Sequence, residues 1–360
     1  MIYFPQYYLC GEKQFTNLFQ AFDHQKNTGH FPHYEIDPEL IESLKHIKRP
    51  KNLSTQYIRD LIIKGLRQVR NKNRKLRLCL GGGTDSWTIL DVCIKNDIYL
   101  DEVVTGLVSF EGDVRADLEY LPAIAYAKKH EGQQIGTVKA VRPTSSDLEY
   151  LDMPEWYKKT RGRSMPCRPF FDQWYDKELT DPDWTNLTGW VKPAFKIEDG
   201  KVFLCHLDGD LGEWMGMDFV PLWIDKHNPE LHVAMAYTML DLIPSKKLIQ
   251  NSFVQITNLN DTKLENKILG ALGMQTPRAW LNLHFLGKKP FDQNIKTKYF
   301  NKELSRLRLD AFNAKYIESM TEVYEQYKDL PYAVEKIGNF VQTIGRYSQK
   351  IPILQDKFGG

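Results

Sequence analysis

Leu78-Cys79-Leu80-Gly81-Gly82-Gly83-Thr84-Asp85-Ser86-Trp87 is the stretch on which the reading of this chain turns. Leu76 to Leu80 reads as a short buried strand, and Thr84 to Ile94 reads as a helix. Three glycines therefore stand between the end of a strand and the start of a helix. Without Cβ atoms they allow a tight turn and a close approach of a ligand to the backbone. Successive N–H groups at a helix start favour an anion. Thr84 and Ser86 add hydroxyls, and Asp85 puts a carboxylate where phosphate is expected. That combination makes chemical sense when a divalent cation bridges carboxylate and phosphate. A plain strand-to-helix turn capped by Asp and Ser would use the same residue types. No GK[ST] follows, so this is not a Walker loop, and the GxGxxG spacing of a dinucleotide fingerprint is absent.

Working outward, Ile58, Ile62, Leu66 and Val69 recur at helical spacing upstream, with Ser54 or Thr55 as cap, predicting a helix to about Arg70. Downstream, the pattern predicts a strand over Glu102 to Phe110, a helix over Arg115 to Lys129 and a strand over Ile135 to Val141. Strand, helix, strand, helix, strand implies right-handed crossovers and a parallel sheet. A further strand is expected over Asp183 to Trp190. A hairpin turning at Glu198-Asp199-Gly200 is expected over Ala194 to His206, and a helix capped by Asn228, with Pro229 first, runs to about Leu240. Met1 to Leu9 reads as a strand and Phe15 to Phe22 as a short helix. Helices are expected to dominate from Asp261 to Gln349. The expected architecture is an α/β core of five parallel strands with helices on both faces. Residues 1–53 form an extension packed on it, 54–245 the core, and 246–360 a helical region.

With 42% hydrophobic and 26% charged residues, the chain falls in the ordinary globular range, which excludes wholesale disorder or coiled coil. No apolar run approaches the roughly 18 residues of a membrane helix, and Met1 to Cys10 lacks the basic flank of a signal peptide. Five cysteines are an odd number and contain no CxxC pair, which points to reduced thiols and a cytoplasmic protein. A net charge of +2 does not make nucleic acid the default partner. The basic run Arg67, Arg70, Lys72, Arg74, Lys75 reads first as a solvated helix end, its cations suiting a helix C-terminus. An RNA or phosphate contact is the sharper alternative, without the aromatic interleaving that would support it.

The glycine string resembles the pyrophosphate loop of the PP-loop ATP pyrophosphatases, usually Ser-Gly-Gly-x-Asp-Ser. Gly82, Gly83, Thr84, Asp85 and Ser86 match, while Gly81 replaces the first serine and removes one hydroxyl. The flanks look most like the synthetase domain of asparagine synthetase. There is a helix before the loop strand, a loose match at Gly112, Asp113, Ala116 and Ala123, and a Phe219-Val220-Pro221-Leu222-Trp223-Ile224-Asp225 segment similar to Val-Pro-Phe-Leu-Asp. The resemblance covers about residues 50–245. Two departures stand out. Residues 1–50 offer neither the length nor the N-terminal cysteine of that family's glutaminase, so no built-in glutaminase is expected. Its second acidic loop has only Thr188-Gly189-Trp190-Val191-Lys192 or Gly209-Asp210-Leu211-Gly212-Glu213 as counterparts. Related branches that rely on a late cysteine or paired cysteines fit less well, since no cysteine follows Cys205.

The resemblance implies ATP and Mg²⁺ on Gly81, Gly82, Gly83, Thr84, Asp85 and Ser86, with adenine over Leu107, Val108 and Ser109 at the end of the second strand. Attack at the α-phosphate needs positioning and charge neutralisation. Lys192 is the expected cation, although a surface lysine before Pro193 is the ordinary alternative. Asp85 is expected on the metal, joined by Asp210 from His206-x-Asp208-x-Asp210, which could equally be a polar turn around Gly209. Arg161, Arg163 and Arg168 could close over phosphate, or be a solvated loop. Cys167, between Pro166 and Arg168, is a weaker candidate for a reactive thiol. His227 and His232 are five apart, which breaks the i, i+4 zinc pair and leaves capping and packing. The implied function is an AMP-forming ligase acting on a small-molecule acceptor. A silent nucleotide binder and a tRNA- or nucleobase-modifying enzyme are the alternatives.

Overall fold

In the computed structural model, the described residues are 7–15, 18–36, 38–72, 74–81, 84–107, 120–141, 183–189, 194–198, 201–205, 219–221, 228–241, 321–331, 333–337, 340–343 and 351–352. The N-terminal part opens with β1 (Tyr7–Cys10) and β2 (Lys13–Phe15), then α1 (Leu18–Thr28), β3 (Pro32–Glu35) and α2 (Pro38–Lys45). Gly11, at φ +64°, makes the turn that lets β2 fold back antiparallel on β1. This turn draws Phe15 into a strand, so the expected helix starts later, at Leu18. The strands form an antiparallel sheet in the order β2-β1-β3. Phe19 and Phe22 of α1 pack on Tyr327, whose hydroxyl donates to Asp23 Oδ1 at 2.9 Å. The N-terminal extension is thereby joined to the far end of the chain.

The next helix, α3 (Thr55–Arg70), starts as expected. Ser54 is extended, and its hydroxyl accepts from the Tyr57 amide at 3.2 Å. Its apolar stripe, Ile58, Leu61, Ile62, Leu66 and Val69, is buried in the main core. Then follow β4 (Lys75–Cys79), α4 (Thr84–Lys95), β5 (Leu100–Gly106), α5 (Leu121–Lys128), β6 (Ile135–Val141) and β7 (Trp184–Thr188). These four strands pair parallel in the order β6-β5-β4-β7. At the β7 edge the short β10 (Phe219–Pro221) adds a parallel segment of three residues. Between β7 and β10 lies the expected hairpin, β8 (Ala194–Glu198) with β9 (Lys201–Cys205), paired antiparallel. Helix α6 (Pro229–Asp241) packs on both α3 and α2.

Strand order decides where a site can lie. From β4 the chain steps to β5 and then β6 on one side, and then returns past β4 to place β7 on the other. With right-handed crossovers, α4 and α5 share one face of the sheet. The reversal between β4 and β7 is a topological switch point, where a crevice opens at the carboxyl ends of the strands.

The C-terminal region is not wholly helical. Residues 321–327 are helical, but β11 (Val334–Ile337) pairs antiparallel with β12 (Phe340–Thr343), and β13 (Ile351–Pro352) pairs with β9. The physical reason is in the sequence. Gly338-Asn339, between short runs that carry β-branched and aromatic residues, is a two-residue hairpin signal that outweighs helical periodicity. The other stretch expected to be helical, 246–320, lies outside the described residues.

Candidate functional site

The glycine loop leaves the sheet at its switch point. The Leu80 amide donates to the Val104 carbonyl at 2.8 Å, so parallel pairing of β4 with β5 continues one residue past β4. The chain departs at Gly81, which is exposed, and α4 starts at Thr84. Ser86, in the first turn of α4, is 6% exposed. Its hydroxyl reaches back to the other end of the loop. It accepts from the Gly81 amide at 3.0 Å and donates to the Gly81 carbonyl at 2.8 Å.

Helix α4 is braced against α5 just beyond the loop. The Trp87 indole stacks on the Tyr126 ring, with centroids 4.9 Å apart and planes at 19°. Tyr126 donates to Asp91 Oδ1 at 2.9 Å, and the Lys95 ammonium donates to Asp91 Oδ2 at 2.7 Å. Burial, then the hydrogen bond to Asp91, push the Tyr126 phenol up to about 12. It therefore stays protonated and keeps its donor role.

Beneath the loop, one face of the sheet carries a buried row of polar groups. Arg77 of β4 donates through Nε to Glu102 of β5 and through Nη1 to Asn186 Oδ1 of β7, at 3.3 Å. Its guanidinium lies 4.2 Å from the centre of the Trp184 ring. Glu102 also accepts from Lys139 of β6 at 2.6 Å. Arg77 is 5% exposed and Glu102 4%, so the pair is held out of water. Nearby, Arg70 pairs with Asp101. Arg70 of the basic run and Arg77 of β4 are thus committed to acids of β5, and the solvated-run reading fails at Arg70 because the sheet brings a carboxylate to it. A sequence signal existed: Arg77 lies between Leu76 and Leu78, and Asp101-Glu102 lies between Leu100 and Val103 in the next strand.

Burial pushes the Cys79 thiol up to about 12, against the opposing pull of Arg77. A thiol so shifted is not a nucleophile at neutral pH. At the carboxyl end of β7, Thr188 is fully buried, and its Oγ1 has no hydrogen-bond partner among the described residues. Thr105, near the end of β5, is in the same condition. Both hydroxyls sit toward the edge from which the loop departs; Thr188 opens the Thr188–Lys192 segment compared with the second acidic loop, whereas Thr105 stands out by no motif. A threonine near a strand end carries no distinctive pattern of its own.

Of the residues expected at the site, Gly81 and Ser86 are brought into direct contact. Leu107 is buried at the end of β5, its amide donating to the Val141 carbonyl at 2.7 Å. Thr84 and Asp85 are the first two residues of α4, and their side chains lie outside the described residues. Gly82, Gly83, Val108, Ser109, Lys192 and Asp210 lie outside them altogether, as do Arg161, Arg163, Cys167, Arg168, His206, Asp208 and His227. His232 is fully buried on α6, in keeping with a packing role. Asn228 precedes α6 as expected, but its side-chain amide donates across to the Leu61 carbonyl of α3 at 2.8 Å. Cys10, Cys79 and Cys93 are unpaired thiols, and among the described residues no helix is long and apolar enough to cross a membrane. No protein-family model matches the chain, and no curated protein matches it.

Proposed function

We propose that this chain is an ATP-dependent, AMP-forming ligase of the PP-loop pyrophosphatase kind, similar to the synthetase domain of asparagine synthetase. One observation carries the reading. The glycine string that resembles a pyrophosphate loop leaves β4 where the strand order reverses, directly before the amino end of a helix of 12 residues. Backbone N–H groups and the helix dipole meet at that point, and both favour a polyphosphate. In this reading the loop from Gly81 to Ser86 takes the phosphates on its backbone N–H groups, and Leu107 to Ser109 flank the adenine. Asp85, second in α4, offers the hard oxygen donor that Mg²⁺ prefers, and Asp210 is the second candidate. Bound Mg²⁺ would neutralise charge on the phosphate oxygens. Lys192 would share that task from beyond β7. An acceptor carboxylate or carbonyl oxygen attacks the α-phosphate and pyrophosphate leaves. Ammonia or an amine then displaces AMP. A core of 54–245 carrying a five-stranded sheet with helices on both faces, and a cytoplasmic setting, belong to the same proposal.

The test is which phosphate bond breaks. With α-labelled ATP, Mg²⁺ and a broad panel of carboxylate acceptors plus ammonia, the expected product is labelled AMP with pyrophosphate. Formation of ADP alone overturns the assignment. A second reading, a nucleotide binder without synthetase chemistry, is favoured by the state of the loop hydroxyls. Residue 81 has none, and that of Ser86 is engaged with Gly81. ATP binding in a calorimetric titration, with no pyrophosphate from any acceptor, decides for this second reading.

A further inference from the structure

We infer that Ser86 is a positioning residue, which holds the glycine loop in its binding shape instead of serving as a phosphate ligand. The inference rests on the nucleotide reading of the same loop and goes beyond it in giving Ser86 a different task.

Gly81 has two soft dihedrals and no Cβ to restrain them. The Ser86 hydroxyl contacts residue 81 on both sides of its α-carbon: the N–H at 3.0 Å and the C=O at 2.8 Å. One bond fixes the peptide that enters Gly81, and the other fixes the peptide that leaves it. A single side chain therefore restrains the two peptide units that meet at Gly81. It does so from the first turn of α4, which Trp87, Asp91 and Tyr126 brace against α5. The hydroxyl's one proton is spent on the Gly81 carbonyl, so it has none to donate to a phosphate. Ser86 is also 6% exposed, a setting suited to an internal tether. A glycine at position 81 suits this arrangement, since the residue that the tether pins brings no side chain of its own.

Three variants test the inference: Ser86→Ala removes the tether, Ser86→Thr keeps the hydroxyl, and Ser86→Cys keeps the volume with a weak donor. The first readout needs no nucleotide. Hydrogen exchange at the Gly81 amide is expected to quicken by about tenfold or more in Ser86→Ala and to stay near wild type in Ser86→Thr. The second readout is kinetic. Loss of loop order is expected to raise KM for ATP by about tenfold with kcat within about twofold, and Ser86→Thr is expected to restore it. Unchanged Gly81 exchange in Ser86→Ala overturns the tether. A fall in kcat at constant KM also overturns the inference, because it assigns the hydroxyl to the reacting phosphate. If Ser86→Ala does not fold, Ser86→Cys carries the comparison, with the same two results overturning it. Wild-type protein that binds no ATP overturns the proposed function, and the exchange comparison then still decides whether the tether exists.

Discussion

The side-chain amide of Asn228 donates to the backbone carbonyl of Leu61, 2.8 Å away and 167 positions earlier in the chain. Leu61 is in the middle of α3, so the bond fastens the entry of α6 to the helix that precedes the glycine loop strand. Asn228 is 1% exposed, and its Oδ1 has no partner among the described residues. The same two helices also contribute Ile58, Leu61 and Leu66, and Leu231, Ala234 and Met235, to one apolar core.

Asn228→Ala is expected to cost about 0.5–1.5 kcal/mol in urea unfolding, the net value of one such bond. Asn228→Asp tests the geometry more sharply, because it faces the Leu61 carbonyl with a buried carboxylate. Burial raises the folded pKa of that Asp above its unfolded value of about 3.9. The folded state then binds more protons between the two values, and stability falls as pH rises through that window. This variant is expected to be less stable at pH 7 than at pH 4.5 relative to wild type, and an unchanged difference would count against the contact.

The Arg77–Glu102 pair is expected to be costly to break and cheap to replace. Arg77→Met or Glu102→Leu alone leaves a buried group without its main counterpart, at about 3–5 kcal/mol. Arg77→Met combined with Glu102→Leu is expected to lose far less than the sum. A double-mutant cycle by chemical unfolding reads the coupling. Additive losses would show that the pair is not coupled.

The thiols of Cys10, Cys79 and Cys93 are all pushed upward by burial, Cys79 to about 12. A raised thiol pKa keeps the reactive thiolate scarce at pH 8. Peptide-resolved alkylation is expected to leave these three cysteines unmodified in the native protein and to label them in denaturant. Rapid native labelling of Cys79 at pH 8 would contradict its raised thiol pKa.

Under the proposed function, Asp85→Asn is expected to abolish Mg²⁺-dependent ATP turnover with little change in unfolding midpoint, because residue 85 is the second residue of α4, at a helix start. Turnover at the wild-type rate in the purified variant would remove Asp85 as a metal ligand.

Local chemistry made much of the framework legible from residues alone. The stripe Ile58-Ile62-Leu66-Val69 and the Ser54 cap specify α3, and Glu198-Asp199-Gly200 specifies the β8–β9 hairpin. The apolar runs around Gly81 to Gly83 specify a strand followed by a helix. Periodicity and turn preference act within a few residues, so they survive without knowledge of the rest of the chain. The helical expectation for the C-terminal region missed a signal of the same local kind at Gly338-Asn339.

Only the tertiary structure decided the relationships that no local pattern encodes. Strand order is one: β7 pairs with β4, not β6, and this places the glycine loop at a reversal. The fate of polar side chains is another. Arg77 stands by sequence between two leucines and in space beside Glu102. Asn228 looks like a cap and instead grips α3. Tyr327 meets Asp23 across 304 positions. A charge or an amide on a strand or helix end has the same intrinsic preferences wherever it occurs. Which partner meets it depends on which segments the buried apolar faces bring together, and that is a property of the whole packed chain.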